Sequence, residues 1–190
     1  MSARADSAAA TGERILDAVT ALFWERPTDQ VVLRDVADRA GVSVQTVLRR
    51  FGSREELIAA AADRATTRTM AQREVPANDL GRAVTALEHH YEEVGAGVLR
   101  LLAAAQSSTS LAGLAARGQE LHRGWCERTF PDALRGLSDD DRRRRLAQVV
   151  AVCDVYTWKL LRLDSGLGRD QTRLALRELL TPLLHPDRST

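Results

Sequence analysis

The segment Leu33–Phe51, LRDVADRAGVSVQTVLRRF, restricts the fold more than any other stretch of the chain. It reads as two short helices, about 33–40 and 44–51, that must cross at close range. Ala37 supplies the small residue at the crossing. Gly41, four residues later, ends the first helix in the left-handed backbone that glycine adopts without steric cost. Ser43 is placed to cap the second helix, and Val36, Ala40, Val42 and Val47 are the apolar positions that lock the pair. Small, glycine and apolar residues at these offsets are what a helix-turn-helix requires. Such a unit presents the first residues of its second helix to base edges in the major groove.

The polar residues of that second helix suit nucleic acid. The 190-residue chain carries a net charge of only +1, so any DNA contact must come from a local patch. Ser43–Arg54 is such a patch, with Arg49, Arg50 and Arg54 and no carboxylate. Gln45 can pair with the N6 donor and N7 acceptor of adenine, Val44 can meet a thymine methyl, and Ser43 and Thr46 can reach bases or phosphates. Arg49 suits guanine or a phosphate, and Arg50 and Arg54 are read as phosphate clamps, each neutralised phosphate adding nearly one unit to the salt slope.

The rest of the chain also has helical periodicity and no convincing alternating strand, which predicts an all-α protein. Met1–Thr11 is read as a disordered leader and 12–58 as the helix-turn-helix domain, opened by a helix from Gly12 that Pro27 stops. A capping box, Ser53 with Glu56, starts a connecting helix over 54–73. Residues 74–186 form a second helical domain. There Leu80, Ala83, Val84, Leu87, Tyr91 and Val94 make one stripe, and Gly95 and Gly97 suggest a break before Val98. A further helix covers 111–130. Ser138, followed by three aspartates, caps a long helix reaching about Asp164, in which the arginines 142–145 read as a paired, solvated face. The last helix runs from Arg169 to Leu184, with Pro186 beyond it.

Residues 12–58 resemble the TetR family of helix-turn-helix repressors. LRDVADRAGVS and TVLRRFGSREEL carry the resemblance: Thr46, Phe51, Ser53, Glu55, Glu56 and Leu57 match the family's usual TLYxHFxSKEEL, with Arg54 in its basic slot. Leu48 stands where the family commonly has a phosphate-holding Tyr, Arg50 where it has His, and Val32 where it has a capping Ser or Thr. The resemblance implies about nine helices, a dimer paired through the last two, and an inducer cavity in the middle.

The C-terminal apolar pattern points to pairing on its own. The helices over 139–164 and 169–184 are too apolar to bury one side only, and a twofold copy of the chain supplies a second partner as a four-helix bundle. Val152, Tyr156, Leu160, Leu176, Leu180 and Leu183 are the candidate interface. A small-molecule effector site is placed on Tyr91, His90, Trp125 and Tyr156, aromatic and polar groups of helices that would enclose a cavity. Cys126 and Cys153 fall on apolar faces and read as buried, reduced thiols rather than a disulfide framework or a metal site.

The leading reading is a ligand-responsive repressor that binds a near-palindromic DNA operator as a homodimer, needing no cofactor. The alternative is an architectural DNA-binding protein without a ligand. No nucleophile elbow, phosphate-binding glycine loop or metal cluster supports an enzyme. With no apolar run near the roughly 20 residues that span a bilayer and no secretory signal, a cytoplasmic location is expected.

Overall fold

The computed structural model describes residues 2–25, 30–107 and 109–184, without the side chains of 2–6, 24, 70, 71 and 110. It is all-helical, with no strand among the described residues. The helices are α1 (Ser2–Glu25), α2 (Leu33–Ala40), α3 (Val44–Phe51), α4 (Arg54–Gln72), α5 (Leu80–Ala104), α6 (Thr109–Thr129), α7 (Asp139–Val152), α8 (Val155–Lys159) and α9 (Arg169–Leu184). A 3-10 turn, Pro131–Leu134, precedes α7, and a π turn, Leu160–Asp164, follows α8. None of the described helices is long and apolar enough to cross a membrane.

The chain divides into two compact units, Met1–Thr69 with Arg100–Leu114, and Met70–Leu99 with Ala115–Thr190. This differs from a boundary after residue 58. Leu57, Ile58 and Ala61 of α4 are buried in one core with Ile15, Ala18, Val19 and Leu22 of α1 and Val36, Ala37, Ala40 and Val47 of α2 and α3. The first half of α4 is therefore core rather than connector, and Leu111 packs on the same cluster. Arg64 of α4 fixes the register against α1 by reaching Glu13 at 2.7 Å and Asp17 at 2.6 Å.

Four expectations are corrected. The leader is helical from Ser2, because its alanines, at 3, 5 and 8–10, are the best helix formers and nothing interrupts them. Gly95 and Gly97 do not break α5; both are buried within it. A Cβ at Gly95 would lie 2.7 Å from Trp158 Cζ3, so this glycine is there to let an indole pack. The helix expected from Ser138 to Asp164 is interrupted at Cys153–Asp154. Asp154 accepts the Tyr156 N–H at 2.9 Å and so caps a new helix, α8. Finally, Ser53 and Glu56 form only half a capping box. Glu56 N–H donates to Ser53 Oγ at 3.1 Å, but the Glu56 carboxylate takes the Ser53 hydroxyl at 3.0 Å. The Pro27 and Pro186 stops lie outside the described residues.

In the second unit, Ala83, Val84, Leu87 and Tyr91 of α5 are buried with Trp125, Cys126, Phe130, Leu146, Val149, Cys153, Val155, Trp158, Leu176 and Leu180. Glu88, fully buried, is held by Arg169 at 2.6 Å and Arg173 at 3.5 Å, which ties α5 to α9. The basic run of α7 is paired as expected: Arg142 with Glu127, Arg143 with Asp140 and Arg144 with Asp141.

Candidate nucleic-acid interface and buried polar cluster

The turn that presents α3 is built by backbone geometry. Gly41 has φ 67°. Its N–H donates to Asp38 O at 3.3 Å, and Val42 N–H donates to Ala37 O at 3.0 Å, the paired bonds that close a helix on a left-handed glycine. Ser43 then caps α3, its Oγ accepting from Thr46 N–H at 3.1 Å and lying 2.9 Å from Thr46 Oγ1. Ala37 is 1% exposed and Val47 fully buried, so the crossing is as tight as the small residue allows. At the start of α2, Val32 makes no side-chain cap, as its side chain requires.

Of the residues assigned to DNA, Gln45, Arg49 and Arg50 are exposed on α3, with Val44 and Thr46 half-buried beside them. Leu48, in the slot where the resemblance expects Tyr, is also exposed. Arg50 runs back over α1, where a Cβ at the buried Gly12 would meet its guanidinium. Arg54 is placed differently from a free clamp. Its Nε donates to Val31 O at 2.8 Å and its Nη1 lies 3.5 Å from Glu55, which ties the start of α4 to the chain entering α2.

The residues assigned to an effector do not all meet. Tyr91 and Trp125 are buried, and His90 lies 5.0 Å from the Tyr91 ring. Tyr156 is 51% exposed, because the break at Asp154 restarts the helix and turns this residue outward. What joins Tyr91 and Trp125 is Arg73, which lies just past α4 and is only 3% exposed. Its guanidinium sits 4.2 Å over the Trp125 ring and 5.9 Å from that of Tyr91, and its Nη2 is 3.3 Å from His122 Nδ1. Its carbonyl accepts Trp125 Nε1 at 2.9 Å, and its Nε has no hydrogen-bond partner. Burial lowers the Arg73 pKa; the groups that oppose this are Tyr91, Cys126 and Cys153, none a carboxylate. Burial, then Arg73, His122 and His89, push His90 down to about 3, so its imidazole is neutral at ordinary pH. Nothing in the sequence marked Arg73, an arginine between two apparent domains.

Cys126 and Cys153 are free and fully buried, as expected for reduced thiols. Within α6, His122 Nε2 lies 3.7 Å from Cys126 Sγ.

The interface residues divide. Tyr156 and Leu160 are exposed, at 51% and 58%, whereas Leu176 and Leu180 are fully buried inside the unit and cannot also face a partner. Val152 and Leu183 are half-buried. The outward apolar residues near them are Leu163, Leu174 and Leu179. On α9 the helical phase, not hydrophobicity, separates the two sets.

Residues 15–61 match the family model described as bacterial regulatory proteins, tetR family. The chain is 28% identical over 181 residues to an HTH-type transcriptional repressor of Mycobacterium tuberculosis, an alignment covering 90% of this chain and 88% of the relative. An HTH-type transcriptional regulator of Mycobacterium bovis aligns with the same identity and coverage. A transcriptional regulator from Rhodococcus sp. Rha1 superposes with a TM-score of 0.71 at 21% identity, covering 92% of this chain and 96% of that one. A TetR-family regulator from Streptomyces coelicolor A3 superposes at 0.53 with 20% identity, covering 93% and 95%.

Proposed function

We propose that the chain is a DNA-binding transcriptional repressor of the TetR family, whose model its residues 15–61 match, and that its homodimer reads a near-palindromic operator and releases it when a small molecule binds the second unit. The observation that carries the reading is the exposed face of α3. Gln45, Arg49 and Arg50 project there from a helix fixed by the Gly41 turn and the Ser43 cap, and no carboxylate lies between Ser43 and Arg54 to oppose a phosphate. Gln45 reads a base, Arg49 a guanine or phosphate, and Arg50 a phosphate; Val44 and Thr46 line the contact. Ser43 contributes mainly by holding the first turn, since its hydroxyl already bonds Thr46. Arg54 contributes by positioning, its Nε being committed to Val31.

Effector response requires a ligand that binds the operator-incompetent state more tightly; equal affinity for both states would shift nothing. Tyr91, His90 and Trp125 around Arg73 are the groups proposed to sense it. The homologues are regulators, which matches the lack of a catalytic motif in the sequence, and a cytoplasmic location follows from a role on DNA.

Selection from a random duplex DNA library at near-physiological salt tests this reading. The expected result is a near-palindromic site, with Gln45→Ala relaxing one base position in each half-site at a cost of roughly 1–3 kcal/mol. Arg50→Ala should instead weaken all sequences alike and lower the salt slope by about one unit. Retention without any enriched sequence would overturn specific readout and leave the architectural alternative.

A further inference from the structure

Arg73 is a buried cation that the DNA-reading face does not use. It is only 3% exposed, and no carboxylate is among the groups that favour its charge. The side chains that meet it are uncharged. The Trp125 ring lies under its guanidinium at 4.2 Å, and the Tyr91 ring is 5.9 Å away. A guanidinium can only donate, so the contact at 3.3 Å makes His122 Nδ1 an acceptor and leaves the single imidazole proton on Nε2. Arg73 Nε is buried without a hydrogen-bond partner among the described residues, and so is the indole Nε1 of Trp158. Trp158 packs beside the same Tyr91, with ring centroids 5.9 Å apart. Two buried N–H donors next to one ring thus lack an acceptor, and one of them belongs to a full positive charge. Buried polar groups are ordinarily paired, and a buried charge calls for a counter-ion. Water can accept from either N–H, but it cannot supply the missing negative charge.

We propose that Arg73 anchors an effector site for a small organic carboxylate, whose apolar body packs against Tyr91, Trp125 and Trp158. This rests on the effector response proposed above and names the class of molecule that it answers to. One unpaired guanidinium calls for one negative charge, so a monocarboxylate balances the site, where a phosphate dianion would over-compensate it. A carboxylate oxygen accepts the Nε–H that the fold leaves without a partner, and its charge neutralises the guanidinium. The aromatic rings around Arg73 suit an aromatic or aliphatic body better than a polar one. Arg73 is already fixed before any ligand arrives. Its guanidinium is stacked on Trp125 and its carbonyl accepts Trp125 Nε1 at 2.9 Å, so little further side-chain ordering is needed on binding. The residue directly follows α4, whose first half shares a core with α2 and α3, so a ligand that engages it acts at the end of a helix belonging to the DNA-reading unit.

The test is titration of the full chain with benzoate, phenylacetate and hexanoate, each against its own uncharged amide, followed by tryptophan fluorescence and thermal midpoint. The expected result is a carboxylate that raises the midpoint and binds about tenfold or more tightly than its amide. Arg73→Gln should abolish that preference, binding acid and amide alike. No binding by any of these carboxylates, or amides that bind as tightly, overturns the site. So does a folded Arg73→Gln protein that keeps the preference. Should that variant not fold, the comparison of acid with amide on the wild-type chain decides alone. Operator affinity is measured on the same samples, and the bound carboxylate should lower it about fivefold or more. A carboxylate that binds through Arg73 and leaves operator affinity unchanged overturns the effector role. Operator release by the amides alone overturns the carboxylate class while the ligand-responsive reading stands. A chain that selects no operator would defeat that reading, and the binding comparison would still decide whether Arg73 holds an anion.

Discussion

At the scale of single residues, backbone conformation and burial carry different functions. Gly41 sits at φ 67°, and a Cβ added there would meet nothing within 4 Å, so a side chain encounters backbone strain and no clash. Gly41→Ala should destabilise the protein by about 1–2 kcal/mol, the cost of a left-handed non-glycine residue. Gly41→Asn should cost less, since asparagine tolerates that region, and urea unfolding distinguishes the two. His90 makes a pH-dependent contribution. Its native pKa of about 3 lies below the ordinary 6.5, so the unfolded chain binds a proton that the native one refuses. Stability from this group is fully present above about pH 6.5 and is lost as the pH falls toward 3. His90→Asn should reduce the drop in urea midpoint between about pH 7 and about pH 5; an unchanged drop would assign the acid sensitivity to other groups.

At the scale of elements, helix boundaries follow local competition for backbone hydrogen bonds, and helix continuity follows packing. Asp154 starts α8 because its carboxylate bonds the Tyr156 N–H, an option open to any Asp that the long apolar pattern around it concealed. Gly95 is the reverse case: its weak helix propensity does not end α5 because Trp158 fills the space beside it. Gly95→Ala adds helix propensity worth up to about 1 kcal/mol, yet its Cβ would stand 2.7 Å from the indole. We expect a net loss of stability of roughly 1–2 kcal/mol from overpacking, with Trp158 fluorescence shifted; a stabilised variant would mean that the indole moves freely.

At the scale of the whole molecule, the apolar residues of the last helices divide by burial. Leu176 and Leu180 are core, and Leu176→Ala should cost about 2–5 kcal/mol of unfolding free energy. Leu160 and Leu179 are 58% and 46% exposed. The double substitution Leu160→Glu with Leu179→Glu should keep the helical circular dichroism, yield a monomer on sedimentation and weaken operator binding, because each half-site would be read alone. A double variant that still sediments as a dimer would place the interface elsewhere.

The sequence alone determined the all-helical fold, the ends of α2 and α3 and the basic face of α3 proposed to read DNA, because each rests on interactions within a few residues: period, a glycine turn, a serine cap and a run of arginines without carboxylates. Tertiary structure alone decided what depends on residues far apart in the chain. Burial took Leu176 and Leu180 from the candidate interface, and Arg54 was drawn to Val31. The same folding brought Arg73 over the Trp125 ring and against His122, from segments about 50 residues apart. Periodicity tells which residues share a helix face, but only the packing of helices decides which face is covered and which side chains meet beneath it.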